Sequence, residues 1–425
     1  MRVRLAYGRN GLEIEVPRER TTVIEPVQAP ALDDPAAVLT AALRRPVAGP
    51  PLRELAKPGQ TVAISVCDIT RAQPRRQMVG AVLRELDGIV RPEDVTILIA
   101  TGTHRANTPE ELLAMLGDEI IASCRVINHD ARDDTSLVDL GESGNGVPTR
   151  LCRHWLDADL RITTGFVEPH FFAGFSGGPK MVAPGLAGLD TVLTLHDAAR
   201  VGDPRSTWGI IDDNPLHSDI RAIAARPEAR PHFSVDVLLD RSQQITHVFA
   251  GELFAMHRRA CEAAKPIAMR ATDHRFEVVV TTNSGYPLDQ NLYQAVKGMS
   301  AAAQVVADGG TILCAAECSD GIPDHGRYAE LLRRGTSPAE LLAQIEARPV
   351  TEPDQWQVQV QALIQRRARV LVKADGLSGE QLAAAHFEPA PDLDVALAEC
   401  VAGQPDARVC VLPEGPQTIP YVAAV

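Results

Sequence analysis

Short runs of apolar, mostly β-branched residues recur along the chain, separated by amphipathic stretches. Each run is four to six residues long, as is typical of a strand buried on both faces of a sheet. The runs are Val62–Cys67, Val95–Ala100, Leu160–Thr164, Ser234–Leu239, Phe276–Thr281, Thr311–Ala315, Arg369–Val372 and Arg408–Leu412. Strands that alternate with helices in this way predict an α/β fold with mostly parallel sheets.

Helix starts are recognisable between these runs. Thr108 and Ser337 each precede a proline and then glutamate, so both are predicted helix N-caps. The first sixteen residues alternate, turn at Gly8–Gly11 and alternate again. This pattern predicts two strands joined by a turn rather than a signal peptide.

A domain boundary is predicted near Pro266–Arg275, where a helical stretch ends and a new strand, turn and helix begin. We therefore expect two α/β domains, an N-terminal one of residues 1–268 and a C-terminal one of residues 269–425. The last segment, residues 409–422, packs either within its own domain or back onto the first. The pattern leaves both alternatives open.

Composition narrows the classes of partner. The formal net charge is −13, from 42 basic and 55 acidic residues, and no basic stripe is present, which argues against nucleic acid as a partner. The eight cysteines are scattered without a C-x-x-C pair, which indicates free thiols in a reducing compartment. No segment approaches the roughly 20 apolar residues of a membrane span. We expect a cytoplasmic protein without membrane contact.

Candidate chemistry follows three of the predicted strands. Asp68, Ile69, Thr70 and Arg71 follow the first run, His104 follows the second, and His170 follows the third. Ligands of open α/β sheets bind outside the carboxyl ends of the strands, so these side chains are expected to converge. One histidine after a strand is more often structural than functional, but three such strand ends together favour a site.

A glycine-rich stretch leads from His170 to Lys180. Because Pro179 precedes Lys180 and Met181 follows it, the stretch is not a phosphate-binding P-loop, and the chain has no Gly-x-Gly-x-x-Gly. A glycine-rich turn with a surface lysine is the simplest interpretation. Alternatively, the phenylalanines beside the glycines desolvate Lys180 and make its amine nucleophilic. His196 follows, but neither a structural zinc pattern nor H-E-x-x-H is present.

These residues resemble a known family. The string GFVEPHFFAGFSGGPK (residues 165–180), together with DITR, GTHR, His196 and LYQAVKG, is similar to the nickel-dependent lactate racemases, and the resemblance covers nearly the whole chain. It implies a nickel–pincer nucleotide, a pyridinium mononucleotide whose two sulfurs and ring carbon hold Ni(II). Lys180 would form its covalent thioamide link, and His196 would be the protein ligand to nickel.

The resemblance also implies roles for the remaining candidates. Asp68, Ile69, Thr70, Arg71 and His170 would contact the cofactor, and His104 and His170 would be the two catalytic bases. Substrate contacts would come from Arg71, Tyr293, Gln294, Lys297 and Trp356, with the active site in the cleft between the domains. Asp289 is a candidate N-cap of the helix that carries Tyr293, Gln294 and Lys297.

The implied reaction is racemisation or epimerisation of a 2-hydroxy acid. Removing the Cα hydrogen as hydride, with the hydroxyl proton taken by a base, gives a 2-oxo acid and avoids a carbanion. Lactate is the first expectation for the substrate, with malate, larger 2-hydroxy acids and sugar acids as alternatives. Enzymes that make the cofactor would be needed as partners for loading.

Two other classes of function compete with this one. One is an NAD-dependent 2-hydroxy acid dehydrogenase, which the sequence does not support because the Gly-x-Gly-x-x-Gly fingerprint of dinucleotide-binding folds is missing. A non-catalytic carrier of the nickel cofactor would need Lys180 and His196 but not the His104 and His170 pair. The remaining histidines are expected to be surface or satisfied structural residues: His129, His154, His217, His232, His247, His257, His274, His325 and His386.

Overall fold

The structure, a computed structural model, describes residues 1–323, 326–404 and 406–423, so that His325 lies outside the described residues. It divides into two compact units. The first unit comprises Gln28–Leu195 and Arg205–Lys265. The second unit comprises Met1–Val27, His196–Pro204 and Pro266–Val425.

The first unit is a sheet with helices and two small hairpins. Its strands are β4 (Val62–Cys67), β5 (Val95–Ala100), β6 (Arg125–Asn128), β7 (Leu137–Ser143), β8 (Val147–Cys152), β9 (Leu160–Phe166), β10 (Pro169–His170), β11 (Gly174–Phe175), β12 (Phe233–Leu239) and β13 (Ile245–Gly251). Its helices are α1 (Pro35–Arg44), α2 (Leu52–Leu55), α3 (Arg75–Leu86), α4 (Pro109–Leu116), α5 (Asp118–Ser123), α6 (Arg153–Leu156), α7 (Leu189–Leu195), α9 (Pro215–Ala224) and α10 (Leu253–Ala268), with 3-10 turns at Pro92–Asp94, Asp134–Ser136 and Gly178–Met181.

The main sheet of this unit has the order β13-β12-β9-β4-β5-β6, and only β13 runs antiparallel to its neighbour. Every residue of β4 is buried, because a central parallel strand has both faces covered. Met78 of α3 and Ile64 of β4 belong to one apolar core. Since β5 and β9 flank β4 and run parallel to it, the chain leaves all three at the same edge of the sheet.

The second unit is built around another parallel sheet. Its strands are β1 (Arg2–Leu5), β2 (Leu12–Glu15), β3 (Thr21–Val23), β14 (Met269–Thr272), β15 (Phe276–Thr282), β16 (Val306–Ala315), β17 (Arg369–Lys373), β18 (Glu388–Pro389), β19 (Val409–Leu412) and β20 (Ile419–Val422). Its helices are α8 (Ala198–Gly202), α11 (Leu292–Ala303), α12 (Tyr328–Leu332), α13 (Pro338–Glu346), α14 (Gln355–Arg367), α15 (Gly379–Ala384) and α16 (Leu393–Ala402), with a 3-10 turn at Arg18–Arg20.

The sheet order in this unit is β18-β17-β16-β15-β19-β3, and every pair in it is parallel. Helix α11 packs on β15 and β16. Val278 and Leu313 share an apolar core with Leu393 and Leu397 of α16. The predicted α/β class with mostly parallel sheets is therefore confirmed in both units.

Local predictions also agree with the structure. Each of the eight apolar runs forms a strand, and the first sixteen residues form the β1–β2 pair. Thr108 caps α4 in a capping box with Glu111, and Ser337 caps α13. All eight cysteines are free thiols, and seven of them are buried.

The two units do not follow the predicted division at residue 268. Residues 1–27 belong with the C-terminal sheet because β3 pairs with β19. Residues 196–204 belong there because α8 packs on α14, where Gln359 Nε2 donates to the Ala198 carbonyl at 2.7 Å. The last strand, β20, pairs with β14 of its own unit. These pairings join segments far apart in sequence, which a local pattern does not encode.

None of the helices in the described ranges has the length and apolarity that crossing a lipid bilayer requires.

Candidate active site

The loop after β4 begins with a buried carboxylate, Asp68, and continues into an exposed segment. Asp68 is 2% exposed, Ile69 is partly buried against the core, and Thr70 and Arg71 are exposed. The Thr70 hydroxyl donates to Asp68 Oδ1 at 2.7 Å. The loop therefore presents Arg71 to solvent while its first residue stays fixed.

Asp68 binds the histidine that follows β5. The distance between Asp68 Oδ2 and His104 Nδ1 is 2.7 Å, and the His104 side chain is 47% exposed. Burial acts to raise the pKa of Asp68, but the His104 ring, the Thr70 hydroxyl and Arg71 outweigh it and lower the pKa below its usual value. An ionised Asp68 accepts the proton of Nδ1, so the Nε2 of neutral His104 carries a lone pair.

His170 lies on the small hairpin of β10 and β11, among aromatic rings. Its ring stacks on Phe171 at a centroid distance of 5.0 Å and meets the edge of Phe172 at 4.6 Å. The Ala173 N–H donates to His170 Nδ1 at 3.3 Å. Because Nδ1 is an acceptor there, neutral His170 carries its proton on Nε2, opposite to His104.

The glycine-rich stretch forms a tight turn that ends at Lys180. Lys180 is partly exposed, and its N–H donates to the Gly177 carbonyl at 3.1 Å. Gly174 has a φ of +79°, and a Cβ there would lie 2.1 Å from the Ile210 carbonyl oxygen. Glycine is needed at position 174 because other segments of the chain pack directly on the turn.

The other predicted residues lie together in the second unit. The His196 and Trp356 rings are 4.8 Å apart, and Trp356 Nε1 donates to the Tyr293 hydroxyl at 3.3 Å. Gln294 and Lys297 lie on α11 with Tyr293, and all three are partly exposed. The predicted site residues thus form two groups, one in each unit.

One local prediction about α11 is wrong. Its N-cap is Asn291, whose Oδ1 accepts the Gln294 N–H at 3.1 Å, and not Asp289. Asp289 is fully buried, and its Oδ2 accepts the N–H of Gly8 at 2.7 Å and that of Glu317 at 3.0 Å. Both residue types are good caps, and tertiary contacts decide between them.

Arg75 supports the Asp68–Arg71 loop and was missed by sequence analysis. It is 6% exposed, and its guanidinium donates to the carbonyls of Cys67 at 2.7 Å, Gln73 at 3.1 Å and Arg71 at 2.7 Å, and also to that of Asp68. A cation at the first position of a helix, where the dipole disfavours it, is the signal that could have indicated a special role.

Replacing Arg75 with methionine is expected to lower the free energy of unfolding by about 3 kcal/mol, since buried carbonyls lose charged donors. Denaturant unfolding measures this loss, and hydrogen exchange of amides 68–73 should rise with it. The exposed neighbour Arg76 provides the matched control, Arg76→Met. Equal stability of the two variants would show that the loop does not depend on Arg75.

Known proteins resemble this chain along its whole length. The family models "Lactate racemase N-terminal domain" and "Lactate racemase C-terminal domain" match residues 7–209 and 271–419. A lactate racemase of Thermoanaerobacterium thermosaccharolyticum is 33% identical over 424 residues, 98% of each chain. One of Lactiplantibacillus plantarum is 35% identical over 377 residues, 88% of each chain.

Solved structures agree with this relationship. The lactate racemase apoprotein of T. thermosaccharolyticum aligns over 100% of both chains with a TM-score of 0.91 and 31% identity. A Thermotoga maritima protein aligns over 93% of this chain and 100% of its own, with a TM-score of 0.67 and 18% identity, and shares the fold. The chain is therefore an enzyme of the isomerase class and belongs to the lactate racemase family.

Proposed function

We propose that this enzyme racemises lactate with a nickel–pincer nucleotide attached to Lys180. The observation that carries the proposal is the opposite hydrogen bonding of two Nδ1 atoms, since that of His104 faces the Asp68 carboxylate and that of His170 faces the Ala173 N–H. These contacts favour opposite tautomers of the two rings, which follow strands on either side of β4. At Nε2, one ring offers a lone pair and the other an N–H. The hydroxyl of a 2-hydroxy acid can use both partners, because the lone pair can take its proton while the N–H donates a hydrogen bond to the same oxygen.

The protein residues are proposed to handle the proton of this reaction. The His104 Nε2 accepts the hydroxyl proton while the Asp68 carboxylate stabilises the imidazolium that forms. For the opposite enantiomer the two histidines exchange roles: the His170 ring proton moves from Nε2 to Nδ1, the Ala173 contact opens, and the freed Nε2 accepts the hydroxyl proton. Phe171 and Phe172, which pack on the His170 ring, exclude water from that side of the site.

Substrate recognition is proposed to use cationic and polar side chains. Arg71 is exposed on a loop that Arg75 supports, and its planar fork suits a carboxylate. Gln294 and Lys297 would bind the hydroxyl and carboxylate, with Tyr293 and Trp356 as apolar walls. Lactate, whose third carbon is a methyl group, needs no further polar partner.

The residues present fit the proposed cofactor. Among the residues that the structure describes, no three His, Cys, Asp or Glu side chains are grouped to hold a metal ion alone. A pincer nucleotide would need no such group, because it would bring its own sulfur and carbon donors, and the imidazole of His196 would be the protein ligand to nickel. Lys180 offers the amine for its attachment. When bound, the cofactor supplies the acceptor for the substrate's Cα hydrogen as hydride.

The proposal extends to cellular context. The enzyme would be loaded by cofactor-making enzymes. It would work in the cytoplasm, since its eight free thiols suit a reducing compartment.

The test is to produce the protein together with the cofactor-making enzymes and measure intact mass, nickel content and conversion of L-lactate to D-lactate. We expect a nucleotide mass adduct, about one nickel per chain and racemisation. All three should be lost in Lys180→Ala and Lys180→Arg, the second of which keeps the positive charge.

Other outcomes would overturn parts of the proposal. If the wild-type protein carries neither adduct nor nickel, the proposed cofactor is wrong. An adduct with conversion of malate or a larger 2-hydroxy acid, but not lactate, would change the substrate. An adduct without turnover of any 2-hydroxy acid would favour a carrier of the cofactor.

A further inference from the structure

Two buried side chains hold the turn that precedes Lys180. Asp236 lies in the interior of β12, and its Oδ2 accepts the Gly178 N–H at 2.7 Å. His257 lies on α10, and its Nε2 lies 2.9 Å from the Ser176 carbonyl oxygen, to which it donates. The two contacts therefore lie on either side of Gly177. Asp236 accepts from the N–H after it, and His257 donates to the carbonyl before it.

The turn fits closely against these two side chains. Gly177 and Gly178 have φ values of +70° and +52°. A Cβ at Gly177 would lie 2.7 Å from Asp236 Oδ2, and one at Gly178 would lie 2.3 Å from the His257 ring. The backbone therefore approaches Asp236 and His257 more closely than any residue other than glycine permits.

Burying the Asp236 carboxylate costs free energy, which indicates that this side chain has a role besides packing. Asp236 is fully buried, and its Oδ1 has no hydrogen-bond partner among the described residues. Burial raises the pKa of Asp236 to about 7, while the Gly178 N–H acts in the opposite direction. An apolar residue on β12 would avoid this cost, but it would leave the Gly178 N–H without an acceptor.

His257 is also buried with little freedom. It is 1% exposed, and burial, the largest cause, lowers its pKa to about 4, so the ring is neutral and donates through Nε2. The His217 ring stacks on it at 5.7 Å with an interplanar angle of 18°. Contrary to the expectation of a satisfied structural residue, both ring nitrogens of His217 lack a hydrogen-bond partner among the described residues.

We propose that Asp236 and His257 are positioning residues that fix the 176–178 turn in the conformation from which Lys180 receives the cofactor. The inference rests on the proposed attachment at Lys180. The link to Lys180 is direct, since its N–H donates to the carbonyl of Gly177, the residue between the two contacts. Asp236 and His257 act through the backbone of the turn and take no part in the reaction.

The experiment compares two pairs of variants. Asp236→Leu removes the acceptor, whereas Asp236→Asn keeps an oxygen in its place. His257→Phe keeps a ring without a donor, whereas His257→Gln keeps an N–H. Val235→Ala is the control for a general loss of stability, because Val235 is a buried residue of the same strand whose apolar side chain has no hydrogen-bonding group.

Each variant is produced with the cofactor-making enzymes, and the soluble folded protein is analysed by intact mass. Asp236→Leu and His257→Phe should carry the adduct at a fraction at least about tenfold lower than the wild type, as expected for the loss of one buried hydrogen bond. Asp236→Asn, His257→Gln and Val235→Ala should load within about threefold of the wild type. In protein produced without the cofactor, amide exchange of residues 174–181 should rise only in the first two.

The outcomes separate this inference from the proposed function. A wild-type protein without adduct would overturn attachment at Lys180 itself. A loaded wild type with equally loaded Asp236→Leu and His257→Phe would overturn the positioning role alone. Val235→Ala with the same loss of adduct would also overturn it, because the effect would then follow stability. If Asp236→Leu does not fold, His257→Phe against His257→Gln decides the same question.

Discussion

Replacing His104 with alanine is expected to lower the rate of lactate racemisation by about 10³-fold, the usual range for removing a positioned base. The contact with Asp68 holds the His104 ring proton on Nδ1, so that the lone pair on Nε2 is left to accept the substrate proton. Lactate racemisation has an equilibrium constant of one, so kcat/KM must fall by the same factor for both enantiomers. Initial rates from L- and D-lactate measure this.

A single-turnover experiment tests the assignment of two bases. In His104→Ala, formation of the 2-oxo acid should be lost from one enantiomer and retained from the other, for which His170 serves as base. His247→Ala, at a partly exposed position on β13, is the control and should match the wild type in both assays. Equal single-turnover loss from both enantiomers would contradict the division of roles between the two histidines.

The fold of each unit could be predicted because its strands are encoded locally. Runs such as Val62–Cys67 and Val95–Ala100 have apolar side chains on both faces, which only a central parallel strand requires. The assignment of residues 1–27 to the second unit could not be predicted. The pairing of β3 with β19 joins a three-residue strand to one nearly 400 residues later, and short edge strands have weak patterns.

The candidate site shows the same contrast. The Asp68–Arg71 loop, His104 and His170 could be found because each follows a recognisable strand, and parallel neighbours bring strand ends together. The Asp68–His104 contact and the tautomers of the two histidines could not be predicted. They depend on the directions of the side chains, which the positions of the strands in the sequence do not determine.

Residues that support the site were harder to find. The cation at the start of a helix was the one sequence signal at Arg75, and its contacts with the loop are evident only in the structure, where the residue is 6% exposed. Asp236 offered a signal, because it is the one charged residue within the apolar run Ser234–Leu239. A carboxylate in a strand buried on both faces needs a partner, and the sequence does not say which N–H provides it.

Replacing Asp68 with asparagine is expected to lower kcat for racemisation by about 10⁴-fold, the loss seen when a catalytic histidine is held in the wrong tautomer. The asparagine amide can donate to His104 Nδ1, which moves the ring proton to Nε2 and removes the lone pair there. Lactate binding does not depend on this proton, so KM should change little. Asp94→Asn, at a carboxylate paired with Arg91, is the matched control. Wild-type kcat in Asp68→Asn would show that the tautomer of His104 does not limit the reaction.

A separate prediction for Asp68→Asn concerns how the free energy of unfolding depends on pH. The pKa of Asp68 is lower in the folded enzyme than in the unfolded chain, although burial opposes this, because His104, Thr70 and Arg71 favour its charged form. Its contribution to stability is therefore fully present above the unfolded pKa of about 3.9 and is lost as pH falls through the lower folded value. Asp68→Asn should lack this part of the acid destabilisation, which denaturant unfolding between pH 6 and pH 3 would reveal against Asp94→Asn. Identical pH dependence in the two variants would mean that the Asp68–His104 contact does not hold the carboxylate in its charged form, and the proposed tautomer of His104 would lose its physical basis.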